Sequence, residues 1–412
     1  MKIYAFEVRD DEKEYFRSLA EKTEIEIILD PDGLTPGRIP ELEPGCGVSI
    51  LGMYRYGETE LDLLKKQGVR CLSTRTIGYN HIDVEYARRI GLHVCNARYD
   101  PNGVADYTIM MLLLCLRNYK QALWRTQVND YSLSGLIGRE LKDLTVGIIG
   151  TGSIGATVIR ELSGFGCRII CSSRHENEEV KRFAEYVSLE TLYRESDIIS
   201  LHLALVPETF HMIDSSTLKQ MKKGVVLINC ARGSLMDMKA LIEGIESEQI
   251  GALGLDCMED EENIVHKDLK TDIFSNRDMA YLRQFKNVIH TQHMAFYTDS
   301  AVRSMVECGV CGLIEMTRAV TARHSYAKNL PTPLRNGYVR LPDLYRDRIG
   351  KDFPLSAAIL RSAHGKAVRC PLPGFTPPLY STQIHRAGNI PAHICTQDSI
   401  SAPGFLHGYN RS

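Results

Sequence analysis

Leu144-Thr145-Val146-Gly147-Ile148-Ile149-Gly150-Thr151-Gly152-Ser153-Ile154-Gly155 is the stretch that decides the fold. Residues 144–149 form an apolar, β-branched run of strand length, the pattern of a strand buried on both faces. The run passes directly into a Gly-x-Gly-x-x-Gly loop, and a helical pattern follows to about residue 163. A glycine loop alone says little, but one that ends a strand and opens a helix is the turn that binds a dinucleotide. Gly150 permits the tight turn, Gly152 lets the backbone approach a pyrophosphate, and Gly155 lets helix and strand pack closely. The helix N-terminus offers unpaired N–H groups and a partial positive charge to the phosphates.

Working outward, further strand patterns lie at 168–171, 198–203, 225–229, 252–256 and 288–291, with helical patterns between them, as at 237–246. Repetition at this spacing predicts a parallel, doubly wound sheet. Before the loop, short strand patterns at 2–8, 25–29, 48–52, 69–73 and 92–96, with an amphipathic helix at 10–22, predict a smaller flavodoxin-like layer. A long apolar helix is expected over 100–118, after Pro101. The expected fold class is α/β and two-lobed. Residues 1–99 with 298–330 form a substrate lobe, residues 100–297 form a Rossmann cofactor lobe, and the active site lies in the cleft between them.

An NAD site places Asp or Glu at the end of the second strand, where it bonds the ribose 2′-hydroxyl. Here the segment reads Ser172-Ser173-Arg174-His175, with Ser173 at the acidic position, 18 residues past Gly155. No carboxylate is left there to repel a 2′-phosphate, and Arg174 can pair with one. A charge-assisted bond contributes about 1.5–3 kcal/mol, roughly 10- to 100-fold in preference. NADPH is therefore favoured, with NADH also open.

Three later strand ends carry polar chemistry, at the edge where open α/β sheets bind ligands. Asn229-Cys230-Ala231-Arg232-Gly233 presents a guanidinium that can hold a carboxylate at two points. Asp256-Cys257-Met258-Glu259-Asp260-Glu261 presents carboxylates, and Thr291-Gln292-His293 an imidazole. Histidine donates and accepts protons near neutral pH, and a neighbouring carboxylate stabilises its charged form. Arg, Glu and His together on one cofactor fold point to catalysis, although each alone reads as structural.

These segments resemble the D-2-hydroxyacid dehydrogenases, of the D-lactate dehydrogenase type. The resemblance covers roughly residues 1–320 and is strongest after Gly68. Within that family it is nearest to the D-lactate dehydrogenases of vancomycin-resistance operons. The closer match rests on Ser73-Thr74-Arg75-Thr76-Ile77-Gly78-Tyr79-Asn80-His81-Ile82-Asp83, on Val104-Ala105-Asp106-Tyr107-Thr108, and on Gly164-Phe165-Gly166-Cys167 with Ser173-Arg174. It implies that Arg232 binds the substrate carboxylate, that His293 is the acid–base, and that Glu261 pairs with His293. It also implies that Ile77 and Gly78 offer backbone N–H groups to the carboxylate, and that Tyr99 and Phe296 wall the pocket. For the cofactor it implies Ser153 and Ile154 at the pyrophosphate, Asp256 at the nicotinamide amide, and Leu203, Ala204, Thr209, Cys230 and Ala231 along the site. The chain departs from the family pattern at Gln292 and Ala204, where proline is usual, and at Cys257-Met258. The implied reaction reduces a small 2-keto acid, pyruvate above all, to the D-2-hydroxy acid, without a metal and in a homodimer. Larger branched or aromatic 2-keto acids, or a non-catalytic dinucleotide-sensing scaffold, are the alternatives.

Composition narrows the rest. The 412 residues suit two or three domains, and 44% hydrophobic with 24% charged residues is ordinary for a globular protein. The net charge of −2 gives no sign of a nucleic-acid partner. The longest apolar run, 109–116, is too short to span a membrane, and charges at Lys2, Glu7, Arg9, Asp10 and Asp11 interrupt any signal-peptide core. Twelve scattered cysteines read as reduced thiols of a cytoplasmic protein. Cys308-Gly309-Val310-Cys311 has redox spacing but lies on a helical pattern without a second ligand pair, so packing is expected. No phosphate-binding GxxxxGK[ST] loop is present. Residues 321–412 stand apart, with 12 Lys and Arg against 4 Asp and Glu, and 10 of the 16 prolines. A basic, poorly packed tail is expected from 331 onward.

Overall fold

The computed structural model describes residues 1–261, 264–272, 274 and 276–325. The tail expected over 331–412 lies outside the described residues. The first five strands are β1 (Lys2–Ala5), β2 (Glu26–Leu29), β3 (Gly47–Ile50), β4 (Cys71–Thr74) and β5 (His93–Asn96). They form an all-parallel sheet in the order β2-β1-β3-β4-β5, a flavodoxin-like order. The helix Asp299–Ser325 returns from the far end of the sequence to cover this sheet. Its Val306, Val310 and Leu313 bury against Ile3, Ala5, Val8, Phe16 and Leu19, each contributing about 1.5–3 kcal/mol.

The second sheet contains β6 (Thr145–Ile149), β7 (Arg168–Ser172), β8 (Glu185–Tyr186), β9 (Ile198–Leu201), β10 (Val225–Asn229), β11 (Ile250–Leu255) and β12 (Val288–His290). Its order is β12-β11-β10-β9-β6-β7-β8, again all parallel. The chain reverses direction across the sheet at β6, which pairs with β7 on one side and β9 on the other. That switch point opens a crevice at the strands' C-terminal ends, where the Gly150 loop lies. The helix Asn102–Leu116 begins after Pro101 and buries Val104, Ala105, Thr108, Ile109, Met111, Leu112, Cys115 and Leu116.

Several expected boundaries move. The first strand stops at Ala5 because the chain turns at Glu7, which has φ +57° and whose N–H goes to Asp32. The helix expected over 10–22 starts as a 3₁₀ turn at Asp10–Glu12 and continues as Lys13–Thr23. The strand expected over 198–203 ends at Leu201. Between β4 and its loop, Arg75 is fully buried with Glu12. Its Nε donates to Glu12 at 2.9 Å and its other nitrogens reach Ser49 Oγ and the carbonyls of Phe6 and Glu7.

Candidate active site

The glycine loop fits a dinucleotide by its own geometry. Gly150 has φ +97°, and a Cβ there lies 2.4 Å from the His202 carbonyl. A Cβ on Gly155 lies 2.0 Å from the Gly150 carbonyl, so this position tolerates no side chain. Gly152, by contrast, faces open space. Among the described residues, the N–H groups of Gly152, Ser153 and Ile154 donate to no protein acceptor, which leaves the helix start available to an anion. Leu203 packs against the Gly150 position. Thr209 bonds internally, donating to Ala204 O at 2.8 Å and accepting from Val206 N at 2.9 Å, so its hydroxyl shapes the 204–209 loop.

At the end of β7, Ser173 is half-buried and Arg174 exposed. Arg174 makes no ion pair among the described residues. Nearby Glu176 is already paired with Lys181 at 2.7 Å. The strand-end loop is held by Tyr186, which donates to Thr151 Oγ1 and accepts from Asn177 N. The site therefore presents a free guanidinium with its neighbouring carboxylate engaged elsewhere.

Arg232 follows β10, where Asn229 organises the turn by donating to Arg232 O at 2.8 Å and accepting from Ala231 N at 3.0 Å. Cys230 lies between them, half-buried. Arg232 reaches Gly78 of the first sheet's loop so closely that a Cβ on Gly78 lies 1.7 Å from its Nη2. The carbonyl of Ile77 accepts from Asn96 and that of Gly78 from Thr76, but their N–H groups find no acceptor among the described residues. Two free amides beside a guanidinium make a carboxylate cradle. His81 lies close by, and burial together with Arg232 pushes its pKa down to about 4, so it is neutral.

Glu261 is the carboxylate against His293, with Oε1 2.6 Å from Nδ1. Its Oε2 accepts from Met258 N at 2.9 Å, so the carboxylate is fixed at both ends. The carboxylate must accept, so Nδ1 carries the hydrogen and Nε2 is left for a ligand. Glu259, two residues earlier, instead meets His211 Nε2 at 2.7 Å. Asp256 is fully buried and holds the His293 loop, accepting from Thr291 Oγ1, Met294 N and Ala295 N while its carbonyl takes the His293 N–H. His293 has φ +56°, a left-handed conformation that this loop imposes.

Tyr99 and Phe296 face each other with ring centroids 6.4 Å apart, over a base of Leu51, Ala97 and Met305. Leu51 and His266 were not expected from the sequence. The His266 ring lies 6.1 Å from Phe296, and its Nε2 donates to the His293 carbonyl at 3.1 Å. Leu51 follows β3 directly but carries no polar group to mark it, and His266 sits in a loop away from any strand end. Cys308 lies on the helix Asp299–Ser325, with Sγ 3.3 Å from the Arg98 carbonyl, and no group of three metal-ligating side chains occurs among the described residues.

A dinucleotide loop at the switch point, with Arg, Glu and His at neighbouring strand ends, defines an α/β enzyme of the Rossmann class. The model of D-isomer specific 2-hydroxyacid dehydrogenases, NAD binding domain, matches residues 109–295. An aromatic 2-oxoacid reductase of Clostridium sporogenes is 41% identical over 79% of this chain and 98% of its own. A D-lactate dehydrogenase of Escherichia coli is 33% identical over 78% and 98%. The NAD-complexed D-isomer specific 2-hydroxyacid dehydrogenase from Lactobacillus delbrueckii superposes with a TM-score of 0.67 at 32% identity, covering 77% of this chain and 98% of that one. The chain belongs to the D-isomer specific 2-hydroxyacid dehydrogenase family and uses a nicotinamide cofactor.

Proposed function

We propose that this enzyme reduces pyruvate to D-lactate. The observation that carries the reading is the His293–Glu261 pair, Nε2 left free, on the same sheet edge as Arg232, which meets the Gly78 loop of the first sheet. The bound cofactor supplies a hydride to the carbonyl carbon. Arg232 and the two amides hold the substrate carboxylate. His293, oriented by Glu261 through Nδ1, donates the Nε2 proton to the carbonyl oxygen. Gly152, Ser153 and Ile154 hold the pyrophosphate, and Leu203, Ala204, Thr209, Cys230, Ala231 and Asp256 form the rest of the cofactor wall. Residues 1–99 with 298–330 serve as the substrate lobe and 100–297 as the cofactor lobe.

A larger, aromatic 2-oxo acid is a second reading. It is favoured by the aromatic 2-oxoacid reductase of Clostridium sporogenes among the relatives and by the aliphatic Leu51 at the base of the Tyr99–Phe296 pocket. NADPH is preferred over NADH through Ser173 and Arg174, and kinship with resistance-operon enzymes rests on residues 73–83, 104–108 and 164–167 together with that pair. One absorbance experiment addresses these points, comparing pyruvate with phenylpyruvate and NADPH with NADH. The expected result is faster turnover of pyruvate with NADPH. Arg174→Ala should then lower kcat/KM for NADPH about 10- to 100-fold while leaving NADH nearly unchanged. An unaltered NADPH-to-NADH ratio in that variant refutes the cofactor reading.

The active form is a homodimer. Ile109, Met110, Leu113 and Phe165 line a groove, and Trp124 and Ile137, the latter 92% accessible, are exposed. Exposed apolar side chains of this size suit burial against a second copy of the chain. Trp124→Glu should shift the sedimentation coefficient from dimer to monomer; a wild-type monomer at micromolar concentration excludes the assignment. A reducing, cytoplasmic location is supported by ten described cysteines that are all free thiols. No helix among the described residues is long and apolar enough to cross a membrane.

A further inference from the structure

Glu7 is 3% exposed and forms no ion pair among the described residues. Its carboxylate instead accepts three consecutive backbone N–H groups: Leu51 and Gly52 at 2.6 Å each, and Met53 at 3.2 Å. Converging amides form a concave anion nest, here filled by the protein's own side chain. Burying a carboxylate costs several kcal/mol, and here three backbone N–H bonds offset it, bonds that an apolar residue would leave unmade. The charge at this position therefore holds the 51–53 segment in place.

The segment it grips has a particular shape. Gly52 has φ +108°, a conformation that strains any side chain, and a Cβ on it would lie 3.0 Å from the His81 ring, which would have to shift. Leu51 enters the cluster with Ala97 and Met305, against which Tyr99 and Phe296 pack. Glu7 is itself held on both sides, by its N–H to Asp32 and by Arg75 Nη2 on its carbonyl. Its carboxylate thus connects a rigid strand end to the base of the pocket.

We propose that Glu7 is a positioning residue for substrate selection. It shapes the 51–53 loop so that Leu51 is pressed against the Tyr99–Phe296 pair and sets the room left for the substrate side chain. This rests on the reading of Tyr99 and Phe296 as the pocket walls. Glu7 touches no reacting atom and acts through Leu51 alone. Loosening the nest lets Leu51 withdraw, so small and aromatic 2-oxo acids are told apart less well.

The test compares kcat and KM for pyruvate and phenylpyruvate in wild type, Glu7→Gln and Leu51→Ala, with cofactor affinity followed by fluorescence and stability by urea unfolding. Glu7→Gln keeps the size and one good acceptor but removes the charge. The expected result is a roughly tenfold fall in the ratio of the two kcat/KM values, carried by KM, with cofactor affinity unchanged. Leu51→Ala should move the ratio in the same direction. A Glu7→Gln variant that loses stability while keeping the wild-type ratio makes the residue merely structural and overturns the proposal. The same holds if Leu51→Ala shifts the ratio and Glu7→Gln does not. Wild-type protein inactive on both acids refutes the functional reading itself, and Glu7's role with it; wild-type activity with an unmoved ratio refutes only Glu7's role.

Discussion

Replacing His293 by alanine is expected to lower kcat with pyruvate by roughly 10²- to 10⁴-fold, the usual contribution of a positioned acid–base group. Nε2 of His293 is the proposed proton donor to the carbonyl oxygen, and alanine supplies none. Glu261 orients the ring through Nδ1 at 2.6 Å, so Glu261→Gln should show an intermediate loss. Both variants should bind cofactor normally, because the glycine loop lies at a different strand end. Initial rates with saturating cofactor, paired with fluorescence titration, make the measurement. A His293→Ala enzyme within about threefold of wild type removes the residue from the reaction.

Removing Glu12 is the most damaging change expected outside the site. Arg75 and Glu12 are both wholly inaccessible, and Glu12 Oε2 also accepts the Arg9 N–H. Glu12→Ala leaves a buried guanidinium without its counter-charge, at a cost of about 3–5 kcal/mol. Replacing both, as Glu12→Leu with Arg75→Met, should recover much of that loss, since neither charge is then left alone. Urea unfolding of the three proteins checks this. A single variant as stable as wild type shows that water or rearrangement compensates, and a double variant worse than the single shows that the network does more than cancel charge.

The parts of the fold legible in the sequence are those with simple physical signatures. Strands β6 and β10 are buried on both faces and therefore read as unbroken apolar runs. The glycine loop reads from spacing because backbone contact at Gly150 and Gly155 excludes side chains. Strand β8 has two residues and left no periodicity to find. The helix Tyr119–Gln127 follows Asn118, whose left-handed conformation ends one helix and starts another within a single polar stretch. Arg232, Glu261 and His293 stand out in the sequence because they follow strands. Glu7 does not: in sequence it is one charge among five near the start, and only folding shows it buried under three amides. Leu51 and His266 escape notice for the same reason, since a loop residue's neighbours are set by distant segments.

The helix Asp299–Ser325 has a consequence for synthesis. Strands β1 to β5 are complete once residue 96 is made, yet Ile3, Ala5 and Phe16 await Val306, Val310 and Leu313. About 200 further residues must be translated first, roughly 10–40 s at common ribosomal rates. Through that interval the nascent chain carries a parallel sheet with one oily face open, and the intervening cofactor lobe can finish folding before the older one closes. The helix Asp299–Ser325 is therefore the one that ends this sheet's exposure to aggregation and to chaperones.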